Sequence, residues 1–325
     1  MKRRMRYGLY VLGTAVLVGL ILLAGCGGDS SSSLFLNVSE RPSWGSAGRI
    51  ALSVWGANEI RYIYSISQNG GNPTLLTLTD SDSDWSDEGG QQPAYRPDGA
   101  AIAITARRGS KDSIYLIDAA TGDRQGATLI TQPAGAGADS MPSWSPDGSK
   151  LVFVTTTNNG TMDLMTVNAD GTGRAPLLED DTADLLWPVY TPDGGRVMYE
   201  RRAAGSSESD IHVVDVASGL DAVLLAGGFD DGAPAVYGDR TSFTVLFHSN
   251  RNGPQYDIWA MDVDATTLAV SNVRAITQTS RSDGFPVWSS DGTRVAFNRD
   301  REVWTMAWTA VEADRDYKRL TRRYR

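Results

Sequence analysis

The sequence predicts an all-β fold, a six-bladed β-propeller of four-stranded antiparallel blades, on three observations. A phrase of the form PSWSPDG recurs six times, a short apolar run follows each copy, and two further strand-like segments complete each repeat. The copies are RPSWGSAGRIAL from 41, QPAYRPDGAAIAI from 92, MPSWSPDGSKLVFV from 141, WPVYTPDGGRVMY from 187, APAVYGDRTSFTVLF from 233 and FPVWSSDGTRVAF from 285. Their first prolines, at 42, 93, 142, 188, 234 and 286, mark where the blades start and are spaced by 51, 49, 46, 46 and 52 residues.

Each part of the repeat has a physical reading. In Pro-Asp-Gly the proline presets φ, the aspartate bonds nearby backbone, and the glycine tolerates the positive φ that closes a hairpin. Units one and five have GSAG at 45 and GDRT at 238 instead, so distortion is expected there. The runs that follow, such as Leu151-Val152-Phe153 and Val295-Ala296-Phe297, are apolar at consecutive positions, as expected for strands covered on both faces by neighbouring blades. Third strands read SIYLID at 113, DLMTVN at 163, DIHVVD at 210, DIWAMD at 257 and EVWTMA at 302. Fourth strands end in an aliphatic residue and threonine, at Leu76-Thr77, Ile130-Thr131, Ile276-Thr277 and Leu320-Thr321. Trp44, Tyr95, Trp144, Tyr190 and Trp288 each stand two residues after a first proline and are sized to fill wedges between blades. One blade alone cannot bury both faces, so the six are expected to close into a ring over 41–325.

These residues resemble the TolB-type propeller repeat, a WD-like unit with this phrase and a segment like FHSNRNG, here at 247–253. The resemblance covers roughly residues 40–325 and implies the fold more than the function. TolB proper carries an α/β domain before its propeller and is a free periplasmic protein. Here a short tether stands between Cys26 and the first unit, so a role in the Tol-Pal envelope system is not expected to carry over whole.

The N-terminus, MKRRMRYGLYVLGTAVLVGLILLAGC, has a basic segment, an apolar segment and small residues ending at the single cysteine. That pattern is an export signal over 1–25. Leu23-Ala24-Gly25-Cys26 resembles the bacterial lipobox, which implies that the Cys26 thiolate takes a diacylglyceryl group and that cleavage falls just before it. GGDSSSS then begins a flexible tether over 26–40, and multiple acyl chains suffice for stable anchoring in a lipid bilayer. Leu34–Val38 is either part of that tether or a strand that pairs with Lys318–Arg322 and latches the ring. Gly27, rather than aspartate, resembles the outer-membrane sorting pattern, which in a double-membraned cell places the protein in the envelope facing the periplasm.

Net charge is −9, and removing the four cations of residues 1–25 leaves −13, so nucleic acid is excluded as a partner on electrostatic grounds. No cofactor is expected. Two histidines, His212 and His248, sit in different blades and offer too little for a triad or a histidine metal site. No G-x-S-x-G elbow, P-loop or dinucleotide fingerprint occurs. The run DSDSDWSDE at 80–88 fails the calcium-loop pattern because Trp85 and Gln91 replace the required glycine and glutamate; a looser bound cation there is the remaining alternative.

Four carboxylates follow the repeat: Asp139, Asp231 and Asp283 stand three residues before a first proline and Asp184 four before. They are the candidate binding rim, a negative ring that would receive a basic peptide or a cation; the competing reading is that each caps its own loop. The function expected is a membrane-anchored, non-catalytic scaffold binding an envelope protein or polymer, without catalytic or metal residues. The alternative is a channel-centred, metal-assisted hydrolase or lyase acting on glycans. Cys26→Ser is expected to abolish palmitate labelling and leave an unprocessed precursor; labelling that survives the change contradicts the lipobox reading.

Overall fold

The computed structural model describes residues 34–35, 37–38, 40–55, 61–77, 90–108, 110–123, 126–135, 137–156, 160–309 and 315–322. Cys26, the signal segment and the acidic run at 80–88 lie outside the described residues. Ser31–Arg325 form one compact unit. The described regular structure is six antiparallel sheets whose strands follow chain order from the channel outward, with a two-stranded pairing at the ends. In blade three the strands are Asp139–Trp144, Lys150–Thr156, Met162–Asn168 and Ala175–Leu178. First strands of successive blades touch in a closed circuit, and that of the sixth, Asp283–Trp288, meets Ser43–Trp44 of the first.

The core is divided among the seams. Among the described residues six clusters of buried side chains occur, each drawing on two adjacent blades; one joins Ile50, Leu52 and Ile66 to Val287, Ala296 and Val303 across the first and last blades. Phe153, Tyr199, Phe247 and Phe297, the third residues of their apolar runs, are fully buried. At about 1.5–3 kcal/mol per large apolar side chain, these seams are the main favourable term. The aromatics after the first prolines fill them as expected. Trp144 and Trp288 also donate their indole N–H to carbonyls of the preceding blade, Ala94 at 3.0 Å and Ala235 at 3.2 Å.

Blade one keeps its turn despite GSAG, with Gly48 N–H bonding Gly45 O at 3.2 Å. Blade five departs: Asp239 N–H bonds Ser242 O, and its carboxylate accepts the amides of Thr241 and Ser242. The terminal threonines have a structural purpose that composition did not show. Thr77, Thr131, Thr277 and Thr321 accept the amides of Ile63, Ile114, Ile258 and Val303 at 2.8–3.0 Å, while the preceding aliphatic amide returns a bond to each same residue's carbonyl.

Leu34–Phe35 pairs in parallel with Thr321–Arg322, and Asn37–Val38 pairs antiparallel with Val54–Trp55 of blade one. These two short strands bridge the last blade to the first. Unpaired backbone at two free edges favours that closure. Thr277→Val keeps the shape of a fully buried residue but strands the Ile258 amide. The expected loss is about 1–3 kcal/mol in urea unfolding, with the slope unchanged.

Candidate functional site

In blades two to six the first strand carries a bulge in one place. Register with the second strand slips between Gln91 and Ala94, Ser140 and Ser143, Leu186 and Val189, Gly232 and Ala235, and Gly284 and Val287. The two residues at each slip are an X-Pro pair, and X lies in the left-handed region: Gln92 at φ 51°, Met141 at 53°, Trp187 at 51°, Ala233 at 49° and Phe285 at 54°. Proline suits the bulge because it has no N–H to lose from the ladder. Each left-handed non-glycine costs on the order of 1–2 kcal/mol, so the ring holds five strained positions around its axis.

These X residues turn inward. Arg41, Gln92, Met141 and Trp187, with the prolines after the last three, line a shallow opening at the channel with a volume of about 20 Å³, room for about one water. Trp187 reaches past small Ala233 to stack edge-on with Phe285, 5.0 Å between centroids, and Phe285 in turn meets His248 at 5.4 Å. Arg41 crosses from blade one to donate to the bulge carbonyl of Pro234 in blade five at 2.9 Å. Gln92 Oε1 accepts both Thr105 Oγ1 and the amide of Met141, each at 2.9 Å.

Beside this mouth sits a buried polar group. Glu200 pairs with Arg202 and accepts the amide of Ala233 at 3.2 Å; burial pushes its carboxyl up to about 7, with Arg202 opposing and Asp230 adding to the rise. His248 has no hydrogen-bond partner among the described residues, and burial lowers its pKa to about 4. Gly232 permits this packing: a Cβ there would stand 2.3 Å from Glu200 Oε2 and 2.7 Å from His248 Nε2. Asp230 accepts the hydroxyls of Ser209 and Tyr256. His212 lies elsewhere, its Nδ1 3.0 Å from Asp221, and is structural. Among the described residues no group of three His, Cys, Asp or Glu is placed to hold a metal ion.

The expected negative rim is corrected. Asp139, Asp231 and Asp283 are fully buried, and each is paired with an arginine of its own blade: Arg174, Arg251 and Arg299. The last pair is bidentate at 2.6 and 2.7 Å. Each guanidinium also lies over the buried ring of its apolar run, Phe153, Phe247 or Phe297, at 5.1–5.6 Å. The carboxylates thus bond arginine rather than capping loop amides, and burial raises the pKa of Asp231 and Asp283 against the pull of that arginine. Asp184 does not join them. Leu185 takes the equivalent place opposite Arg201, so Asp184, one residue away and opposite Arg202, belongs to the other face of its strand. Sequence reading missed Arg41, Gln92, Trp187 and Glu200; the signal was the column before the first proline, which reads R, Q, M, W, A, F while the proline stays fixed.

Comparison with known proteins agrees with this architecture. The model of the TolB beta propeller domain matches residues 86–267, more than half of the chain. The chain belongs to the TolB β-propeller family. The Tol-Pal system protein TolB of Anaeromyxobacter dehalogenans is 33% identical over 93 residues, 29% of this chain and 20% of that protein. The protein TolB homolog of Chlorobium luteolum is 27% identical over 175 residues, 51% of this chain and 36% of that one. The matched segments thus span well under half of these curated relatives. The crystal structure of TolB from Acinetobacter baumannii superposes with a TM-score of 0.60 at 21% identity, covering 83% of this chain and 63% of that one.

Two outcomes follow. Asp283→Asn leaves Arg299 buried without its charge partner and is expected to cost about 3–5 kcal/mol, whereas Asp184→Asn changes stability by less than about 0.5 kcal/mol in denaturant unfolding. Glu200, its pKa raised, contributes stability that is full below its ordinary value of 4.5 and lost as pH rises through about 7. His248, its pKa lowered from 6.5, contributes stability that is full above that value and lost as pH falls through about 4. Between about pH 4.5 and 6.5 the two contributions oppose each other, so the parent's melting temperature should change little there and decline from about 6.5 to 7, whereas Glu200→Gln, left with the His248 contribution alone, should gain stability up to about pH 6.5 and stay level above it.

Proposed function

We propose that this protein is a lipid-anchored, non-catalytic propeller of the cell envelope that holds a protein partner at the mouth of its central channel. Membership of the TolB family supports a protein-binding propeller, and the Anaeromyxobacter relative is named for the Tol-Pal system. The observation that carries the choice of face is the ring of X-Pro bulges. Five strained residues with five different side chains, on a scaffold that otherwise repeats itself, mark a surface kept for recognition rather than for folding. Cys26 tethers the ring to a bilayer; in a double-membraned cell this is the outer membrane, with the propeller in the periplasm.

The non-catalytic reading is supported by the chemistry at the channel. Glu200 is committed to Arg202 and Ala233, Asp230 to two hydroxyls, and His248 stands without a base or acid bonded to it. A photo-crosslinking residue at Met141, used in the intact envelope, should trap one discrete partner, while the same residue at Leu220 on the outer edge of blade four should not. Adducts from Leu220 alone, or none from either position, contradict the proposed face.

A further inference from the structure

Blades one and five are not neighbours, because blade six stands between them in the circuit of first strands. The bond from Arg41 Nη2 to Pro234 O, 2.9 Å long, therefore does not run along a seam and has to pass over the axis. The same side chain faces Gln92, Met141 and Trp187 around the opening, so it meets residues of blades two, three, four and five. Only a group lying across the mouth can do so, and what it leaves is room for about one water.

Arg41 stands in the column before the first prolines, yet unlike the other five members it is not in the left-handed region. Its landing place is prepared: Ala233, the smallest of the column, leaves space, and Glu200 accepts the Ala233 amide at 3.2 Å, which pins the bulge that presents Pro234 O. The hold on the guanidinium itself is thin. One N–H is bonded, no carboxylate lies within ion-pair distance among the described residues, and burial brings the pKa down to about 10. A cation drawn from water with only a neutral carbonyl to meet it is costly to keep there, and because the residue is partly exposed, water is at hand once the head group lifts.

We infer that Arg41 is a movable strap over the channel mouth: bonded to Pro234 it closes the channel to anything larger than a water, and swung into solvent it opens the way to His248. The ring and its bulges stay in place, and only a side chain moves. His248 is the group behind the strap. Gly232 and Gly284, both on first strands, stand against its Nε2 and Nδ1 and offer no side chain to screen them. Arg41 is near enough to be felt there: burial lowers the His248 pKa, Asp230 pulls the other way, and Arg202 and Arg41 lower it further. The strap needs no partner protein and so goes beyond the scaffold reading.

Diethyl pyrocarbonate, which acylates neutral imidazole and is far larger than a water, tests the strap on the purified protein. The chain has two histidines, so peptide mass spectrometry follows His248 with His212 as its internal standard. At about pH 7 His248 is already neutral, since its pKa is lowered to about 4, and its rate reports access alone. Slow acylation of His248 is expected in the parent, and acylation about tenfold faster in Arg41→Ala, because the reagent meets only the open fraction of the parent. Arg41→Lys, which keeps the charge on a shorter arm, should fall between the two, with the His212 rate and the melting temperature unchanged in both variants. Equal His248 rates in the parent and both variants, complete protection of His248 in the parent, or a rise at His212 that matches the rise at His248 overturns the inference. No partner takes part, so these results leave the crosslinking test of the channel face untouched.

Discussion

Burial of both faces of every blade is the constraint on which the rest depends. A four-stranded sheet with consecutive apolar residues in its second strand, such as Val152-Phe153-Val154, has no face it can leave in water. Each seam therefore needs a neighbour on each side, and six seams can all be satisfied only if the circuit closes. Closure rests on the packing of blade one against blade six and on Leu34–Phe35 and Asn37–Val38, which pair with the last blade and the first.

Closure also decides what happens to charge. Carboxylates on first strands lie where seams converge, and desolvation there demands a bonded partner. Arginines provide it for Asp139, Asp231 and Asp283, and the same guanidinium groups cover the phenylalanines beneath. Repeating acids thus became part of the wall. The wall leaves unspecified the residues before the first prolines, which a bulge in blades two to six holds in the left-handed region.

The repeat made the fold legible in sequence. Period, turn chemistry and apolar runs each pointed to the same four strands, and even the tryptophans were placed correctly. The site was much less legible, for two physical reasons. Spacing showed that Asp139, Asp231 and Asp283 recur, but burial and pairing depend on Arg174, Arg251 and Arg299, which occupy different offsets and could not be assigned from one sequence. Asp184 shows the cost of a single step, since one residue along a strand changes the face. Arg41 contacts Pro234 across 193 residues of chain, a relation no local pattern carries.

The central claim is that the ring is one cooperative body whose seams stand or fall together, so that its channel mouth is a rigid surface. Differential scanning calorimetry of the purified protein tests this most directly. Equal calorimetric and van't Hoff enthalpies across a single reversible transition are predicted. Two or more separable transitions, with a calorimetric enthalpy well above the van't Hoff value, would contradict it.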